Sequence, residues 1–265
     1  QLEIDNIVSP CDKDGIRTVI KIDKWYERKL DMAKVIILSG SGISAESGIS
    51  TFRDEDGLWE NHNIEDICTS GCLDINREQT IKFYDMLRVN LKDKKPNHAH
   101  KMISMLKNKY PDEISIITQN VDDMFEKAGC KDVIHLHGFL QELRCQKCKN
   151  ILNVTYEKQF ENHETCPKCK KLLRPNIVFF GEQAPKYKDM YKEFETCEVF
   201  VIIGTSGAVI QTDTFLNPQI KLSILNNLKE SQYINGKLYT KVLYKKATLA
   251  IDEIVEDIEK YLLKI

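Results

Sequence analysis

Along this chain, short apolar runs alternate with longer stretches in which apolar residues recur every three or four positions. The runs at 34–38 (KVIIL), 114–117 (ISII), 133–136 (VIHL), Val199–Ile203 and 223–225 (SIL) have strand character. Between them, residues 77–91 carry Ile81, Tyr84, Leu87 and Leu91 on one stripe, the mark of an amphipathic helix. Pro96-Asn97-His98 stops that helix and starts another over 99–107. A last helix over 250–263 places Ile251, Ile254, Val255, Ile258 and Leu262 together, and is expected to pack on the sheet edge. Towards the start, Pro10 and Gly15 mark turns, 17–22 alternates weakly as a strand, and Asp23 caps a short helix over 24–32 with Trp25 and Leu30 turned inward. Strands that alternate with helices predict an α/β fold.

Composition narrows the class. Apolar residues make up 42% and charged residues 29% of 265, which suits a soluble globular chain of one large domain or one domain with an insertion. A net charge of −2 argues against a nucleic-acid footprint, so no direct nucleic-acid partner is expected. The apolar runs are too short to cross a bilayer, and no secretory h-region follows the N-terminus; a cytoplasmic location is expected. Nine cysteines, an odd number, with two C-x-x-C pairs point to metal binding in a reducing compartment. Cys68 and Cys72, one helical turn apart, read as small buried hydrophobes.

The stretch LSGSGISAESGISTFRDEDGLW, residues 38–59, organises the rest. A strand runs into Gly40-Ser41-Gly42, the way α/β folds bring backbone N–H groups to a pyrophosphate, with glycine required for close approach and positive φ. The spacing, with Gly48 six residues on, is not that of dehydrogenases. At the C-terminal end of the strand 114–117 stand Gln119-Asn120-Val121-Asp122, which offer an amide and a carboxylate to a carboxamide and to ribose hydroxyls. The strand 133–136 ends at His137-Gly138. A histidine there titrates near neutrality and is the natural general base, whereas His135, two residues earlier, points to the other face. His98 and His100 lack acidic or cysteine partners nearby and read as a cap and a solvated side chain. Cys145-x-x-Cys148 and Cys166-x-x-Cys169, seventeen residues apart, form a four-thiolate signature for one structural zinc in a lobe over about 140–175. With so little apolar content between them, that zinc supplies much of the lobe's folding free energy. The run 177–182 (IVFFGE) suits a strand whose edge pairs with an extended peptide.

Taken in order, the glycine loop with Phe52-Arg53, Gln119-Asn120-x-Asp122, His137-Gly138, the paired cysteines and Gly204-Thr205-Ser206 resemble the sirtuins, NAD-dependent protein-lysine deacylases. The resemblance covers about residues 34–247 and is closest in pattern to the bacterial, class III-like branch. It implies a Rossmann-like parallel sheet with an inserted zinc-ribbon lobe and a helical insertion, over 23–265, with 1–22 as an unassigned extension. It implies NAD as co-substrate and an acyl-lysine peptide as partner. By resemblance, Gly40, Ser41, Gly42, Ser44, Phe52, Arg53, Trp59, Gly204, Thr205, Ser206, Asn226 and Ala247 surround NAD. Phe52 shields the reaction centre from water, Gln119 and Asn120 face the ribose, and Asp122 faces nicotinamide. Val178, Phe179, Phe180, Gly181 and Glu182 clamp the acyl-lysine. The implied reaction is attack of the acyl oxygen on the nicotinamide ribose, with His137 deprotonating a ribose hydroxyl, to give free lysine and an acylated ADP-ribose. A non-catalytic NAD- or peptide-binding module and an ADP-ribosyltransferase stay open as alternatives.

The chain departs from the family at two places. Between Ser206 and Asn226 the segment is short, Thr214-Phe215-Leu216-Asn217-Pro218 breaks a helix, and no acidic residue plainly follows Asn226. In the helix over 77–91, Tyr84 is followed three residues later by Leu87, where family members that remove succinyl and malonyl groups have an arginine. Arg88 comes one position later, about 100° around the helix. The acyl pocket of Tyr84 and Leu87 is therefore expected to favour acetyl or another neutral acyl group. Desuccinylation through Tyr84 and Arg88 is the alternative.

Overall fold

The computed structural model describes residues 34–51 and 64–263. The expected elements over 17–22 and 24–32, and Phe52, Arg53 and Trp59, lie outside the described residues. Six parallel strands form the main sheet: β1 (Val35–Ser39), β2 (Ile114–Thr118), β3 (Ile134–His135), β7 (Val199–Ile203), β8 (Leu222–Asn227) and β9 (Lys241–Tyr244), in the order β3-β2-β1-β7-β8-β9. The three central strands β1, β2 and β7 are buried along their whole length, which is why they read as continuous apolar runs. The order reverses between β1 and β7. Crevices at such a reversal, outside the carboxyl ends of the strands, are where doubly wound sheets bind ligands.

Helices cover both faces. The described helices are α1 (Ile64–Ile67), α2 (Cys72–Ile75), α3 (Arg77–Asn90), α4 (His98–Lys109), α5 (Met124–Lys127), α6 (Tyr187–Phe194) and α7 (Ala247–Leu262). Ile251, Ile254, Val255 and Ile258 of α7 and Ala99, Ile103 and Leu106 of α4 share one core with Val35, Ile37, Ile114 and Val201. So α7 lies across a face of the sheet and not on its edge, because its stripe is wide enough to meet several strands. The opposite face buries Ile36, Leu38, Phe200 and Ile202 with Met190 of α6.

Between β3 and α6 a second sheet, β5-β4-β6, is built from β4 (Gly138–Cys145), β5 (Ile151–Asn153) and β6 (Leu173–Ile177). Its own core is small: Leu143, Val154 and Leu173 with Cys145 and Cys166. The α1–α3 insertion docks on this lobe through Asp85. That carboxylate pairs with Arg88 and accepts the N–H groups of Gln159 (2.8 Å) and Phe160 (2.9 Å).

Candidate active site

The crevice lies where the loops after β1, β2, β3 and β7 meet. After β1 the chain does not enter a long helix. It makes two 3-10 turns, Ser41–Ile43 and Ala45–Ser47, and the second ends at Gly48. Gly40 has an extended backbone, so it is not needed for positive φ. A Cβ there would stand 2.7 Å from the carbonyl oxygen of Gly204, and one on Gly42 would stand 2.8 Å from the Gly204 Cα. The glycines let the two loops interlock, with Gly42 N–H bonded to the Gly204 carbonyl (2.9 Å). Gln119 adds a second tie, its amide donating to Thr205 Oγ1 (2.9 Å), and Thr205 is itself buried. Ser206 is exposed at the mouth of the loop.

Behind this seam sits a buried polar cluster. Ser44 Oγ accepts from Asn120 Nδ2 (3.1 Å) and donates to Asp122 Oδ2 (2.9 Å). Burial raises the Asp122 pKa, partly offset by the Met124 N–H and Ser44. The third neighbour of Ser44 is His100, at 3.4 Å from its Nε2. His100 is therefore neither solvated nor a cap. Asn97 caps α4, accepting from the Ala99 and His100 N–H groups, and also takes a hydrogen bond from His100 Nδ1 (3.0 Å). Burial drives the His100 pKa down to about 4, so the ring is neutral. Sequence reasoning named this residue but placed it at the surface. Its place beside Ala99, one turn before Ile103, was the available signal, since that is the inward stripe of α4.

The two strand-end histidines differ sharply. His135 bonds the Asn120 carbonyl and Glu126 (2.8 Å). Burial would lower its pKa, but Glu126 outweighs that and the net direction is upward. His137 has no such acid. Its Nδ1 stands 3.0 Å from the carbonyl oxygen of Gln119. A carbonyl only accepts, so Nδ1 carries the proton and Nε2 presents its lone pair. Burial holds the His137 pKa below the usual value, opposed by the Gln119 bond, and the ring is a neutral proton acceptor at pH 7.

Beyond His137 the strand β6 ends at Ile177, and 178–182 is not an open edge strand. The N–H groups of Val178, Phe179 and Phe180 go to the His137 carbonyl (2.9 Å), to Glu182 Oε2 (3.0 Å) and to the Cys68 carbonyl (2.8 Å). None of the three is left to pair with a peptide. The carboxylate of Glu182 is committed inward to Arg174 (2.5 Å) and serves to hold this segment in shape. Gly181 turns the chain with φ of 85°. Phe180 is exposed and Val178 half-buried, while Phe179 is buried and stacks on Tyr84 at 5.6 Å. The Tyr84 hydroxyl lies 3.3 Å from Cys68 Sγ, and Leu87 packs on the same apolar cluster. Arg88 is wholly buried on another side of α3, bonded to Asp85 and to the Leu140 and Glu157 carbonyl oxygens.

Two of the expected residues stand at the far end, in β8 and after β9. Asn226 is buried, and its amide donates to the Leu243 (2.8 Å) and Lys245 (2.9 Å) carbonyls, tying β8 to the end of β9. It is Asn227 that reaches the crevice loops, donating to the Thr205 carbonyl (2.9 Å). Ala247 opens α7, whose N-terminus is occupied by Glu46 through the Thr248 N–H (3.1 Å) and hydroxyl (2.8 Å).

In the small lobe the sulfurs of Cys145, Cys148, Cys166 and Cys169 all lie within 4.8 Å of one another. Cys145 and Cys169 are 3.4 Å apart and Cys148 and Cys166 3.7 Å. Four thiolates at about 2.3 Å from a tetrahedral zinc stand about 3.8 Å apart, so the donor set fits that ion and leaves no open position.

A strand-end crevice at a sheet reversal, a neutral histidine at its mouth and a four-thiolate lobe define the class. The family model described as Sir2 family matches residues 40–211. An NAD-dependent protein deacylase of Campylobacter jejuni (strain RM1221) is 46% identical over 232 residues, covering 87% of this chain and 98% of that protein. One from Escherichia coli O157:H7 is 35% identical over 244 residues, covering 90% and 88%. The crystal structure of a Sir2 homolog–NAD complex superposes with a TM-score of 0.75 at 31% identity, covering 91% of this chain and 96% of that one. This chain belongs to the Sir2 family.

Proposed function

We propose that the chain is an NAD-dependent protein-lysine deacylase in which His137 is the general base. The observation that carries this reading is the Gln119 carbonyl on His137 Nδ1, which leaves Nε2 free of a proton and able to take one from a ribose hydroxyl. When bound, NAD supplies an electrophilic ribose carbon and a nicotinamide leaving group. The interlocked loops at Gly40–Gly42 and Gly204–Ser206 would hold its pyrophosphate. Ser44, Asn120 and Asp122 form a buried polar set beyond what packing needs, matched to a carboxamide and hydroxyls. Asn120 also orients His135 through its carbonyl, and with Gln119 is the group set to position the ribose. The zinc is structural, holding the lobe from which β6 delivers the 178–180 segment to the base. The cysteines outside that cluster that are described (Cys68, Cys72, Cys130 and Cys197) are buried free thiols, which supports a reducing compartment such as the cytoplasm.

The acyl group would meet the apolar cluster of Phe179, Tyr84, Cys68 and Leu87, where the guanidinium over the Phe179 ring, Arg174 at 4.0 Å, is already paired with Glu182. Neutral acyl groups are therefore the preferred substrates. The test is turnover of an acetyl-lysine peptide with NAD by the wild type and by His137→Ala. The variant should lose at least ~10²-fold in kcat while still binding NAD. Full activity in His137→Ala, or the same loss from His135→Ala alone, would overturn the base assignment.

A further inference from the structure

The base has a second partner that the reaction does not require. Tyr187, the first residue of α6, places its hydroxyl 3.2 Å from His137 Nε2, with the two rings 6.1 Å apart and tilted by 41°. With Nδ1 already protonated toward Gln119, Nε2 can only accept, so the phenol O–H donates to it. Tyr187 is half-buried and packs against the apolar cluster of Leu38, Leu136 and Met190, so its ring is held and its hydroxyl is aimed. Burial, with a smaller effect of Tyr191 one turn along α6, raises the Tyr187 pKa, and the phenol keeps its proton at neutral pH.

We propose that Tyr187 is a positioning residue for His137: its hydroxyl holds the imidazole as the Nδ1–H tautomer in the free enzyme and hands Nε2 to the ribose hydroxyl when the substrates bind. Both ring nitrogens are then occupied before substrate arrives. That removes rotation about the ring and the competing Nε2–H tautomer, in which the base would have no lone pair to offer. The groups facing the ring are the Gln119 carbonyl from the β2 loop and the Tyr187 hydroxyl from α6; no charged side chain acts on it among the described residues. Removing Tyr187 has a predictable sign. The phenol donates to the neutral ring but can turn and accept from Nε2–H of the imidazolium, and the bond to the charged ring is the stronger of the two, so without Tyr187 protonation becomes harder.

The experiment uses the full chain with selectively 15N-labelled histidine, free of substrate, and follows the ring nitrogens from pH 5 to 9. In the wild type His137 should show one Nδ1–H tautomer. In Tyr187→Phe its midpoint should fall by about 0.4–1 pH unit, the equivalent of one net hydrogen bond. The acid limb of kcat/KM for NAD and an acetyl-lysine peptide should move downward by the same amount. Tyr187→Gln, which returns a donor and acceptor near the ring, should restore part of both shifts. A midpoint and limb unchanged in Tyr187→Phe, or a wild-type ring already in the Nε2–H tautomer, would overturn the proposal. It rests on His137 as the base, but the titration reads the Tyr187 contact without catalysis, whereas His137→Ala reads the base. The two can therefore fail separately.

Discussion

Replacing Leu87 with arginine should convert a neutral-acyl enzyme into one that accepts succinyl-lysine. The wild type has two cations nearby, Arg88 and Arg174, and the question is whether either could turn to the acyl group. Arg88 is buried against Asp85, and Asp85 also holds the N–H groups of Gln159 and Phe160. Withdrawing the guanidinium leaves a buried carboxylate without its counter-ion, at a cost of roughly 3–5 kcal/mol. A charge-assisted bond to a succinyl carboxylate returns only about 1.5–3 kcal/mol. Arg88 therefore stays where it is, as does Arg174, which lies over the Phe179 ring and is held by both oxygens of Glu182, so a succinyl carboxylate meets no guanidinium that is not already paired. At position 87 the side chain is half-buried on the cluster that holds Tyr84 and Phe179, so Leu87→Arg brings a new guanidinium to that side without disturbing Asp85. The same 1.5–3 kcal/mol, at 1.36 kcal/mol per tenfold, corresponds to a roughly 10- to 150-fold rise in the succinyl-to-acetyl ratio of kcat/KM. The assay compares acetyl-, butyryl-, octanoyl- and succinyl-lysine versions of one peptide on both proteins. Succinyl turned over by the wild type as well as acetyl, or a ratio unmoved by Leu87→Arg in a folded protein, would refute the reasoning.

Three further outcomes follow from the same geometry. Purified protein should carry one zinc, and Cys145→Ala or chelation should expose the β4–β6 lobe to proteolysis, because two of the five residues of its small core are themselves ligands; a soluble, active, metal-free preparation would contradict this. His100 is neutral in the fold with a pKa of about 4, against 6.5 when unfolded, so its contribution is complete above pH 6.5 and lost as pH falls toward 4. That fall of about 2.5 pH units, at 1.36 kcal/mol each, is roughly 3 kcal/mol, and urea unfolding of His100→Gln should lose correspondingly less stability over that range than the wild type. Parallel acid losses in the two proteins would count against it. Gly42→Ala should destabilise the protein and weaken NAD binding together, because its Cβ meets the Gly204 backbone at 2.8 Å; NAD affinity unchanged in that variant would separate the loop seam from the cofactor site.

What could be read from residues alone were features whose cause is local. The apolar runs of β1, β2 and β7, the stripes of α3 and α7, the cysteine spacing and the strand-end placement of Asn120, Asp122 and His137 all follow from neighbours in sequence. What could not be read depends on partners far along the chain. Asp85 chooses Arg88 only because the 157–160 segment of the small lobe arrives beside it. Asn226 is diverted by β9, seventeen residues away, and the N–H groups of Val178 and Phe180 by His137 and Cys68. The glycines at 40 and 42 read as needed for positive φ and for close approach to a pyrophosphate; the approach they permit in the fold is to a loop more than 160 residues on. From sequence His98 and His100 read as a cap and a solvated side chain and Tyr187 draws no notice, because His100 and Tyr187 each lie at the start of a helix whose inward face shows only once the sheet is in place.

The most direct test of the central claim is mass spectrometry of the products formed from NAD and an acetyl-lysine peptide. Nicotinamide, the deacetylated peptide and an acetylated ADP-ribose are expected in equal amounts, with none of the three formed when acetyl-lysine is replaced by lysine. NAD consumption that leaves the acetyl group on the peptide and adds ADP-ribose to protein, or binding of NAD with no turnover, would contradict it.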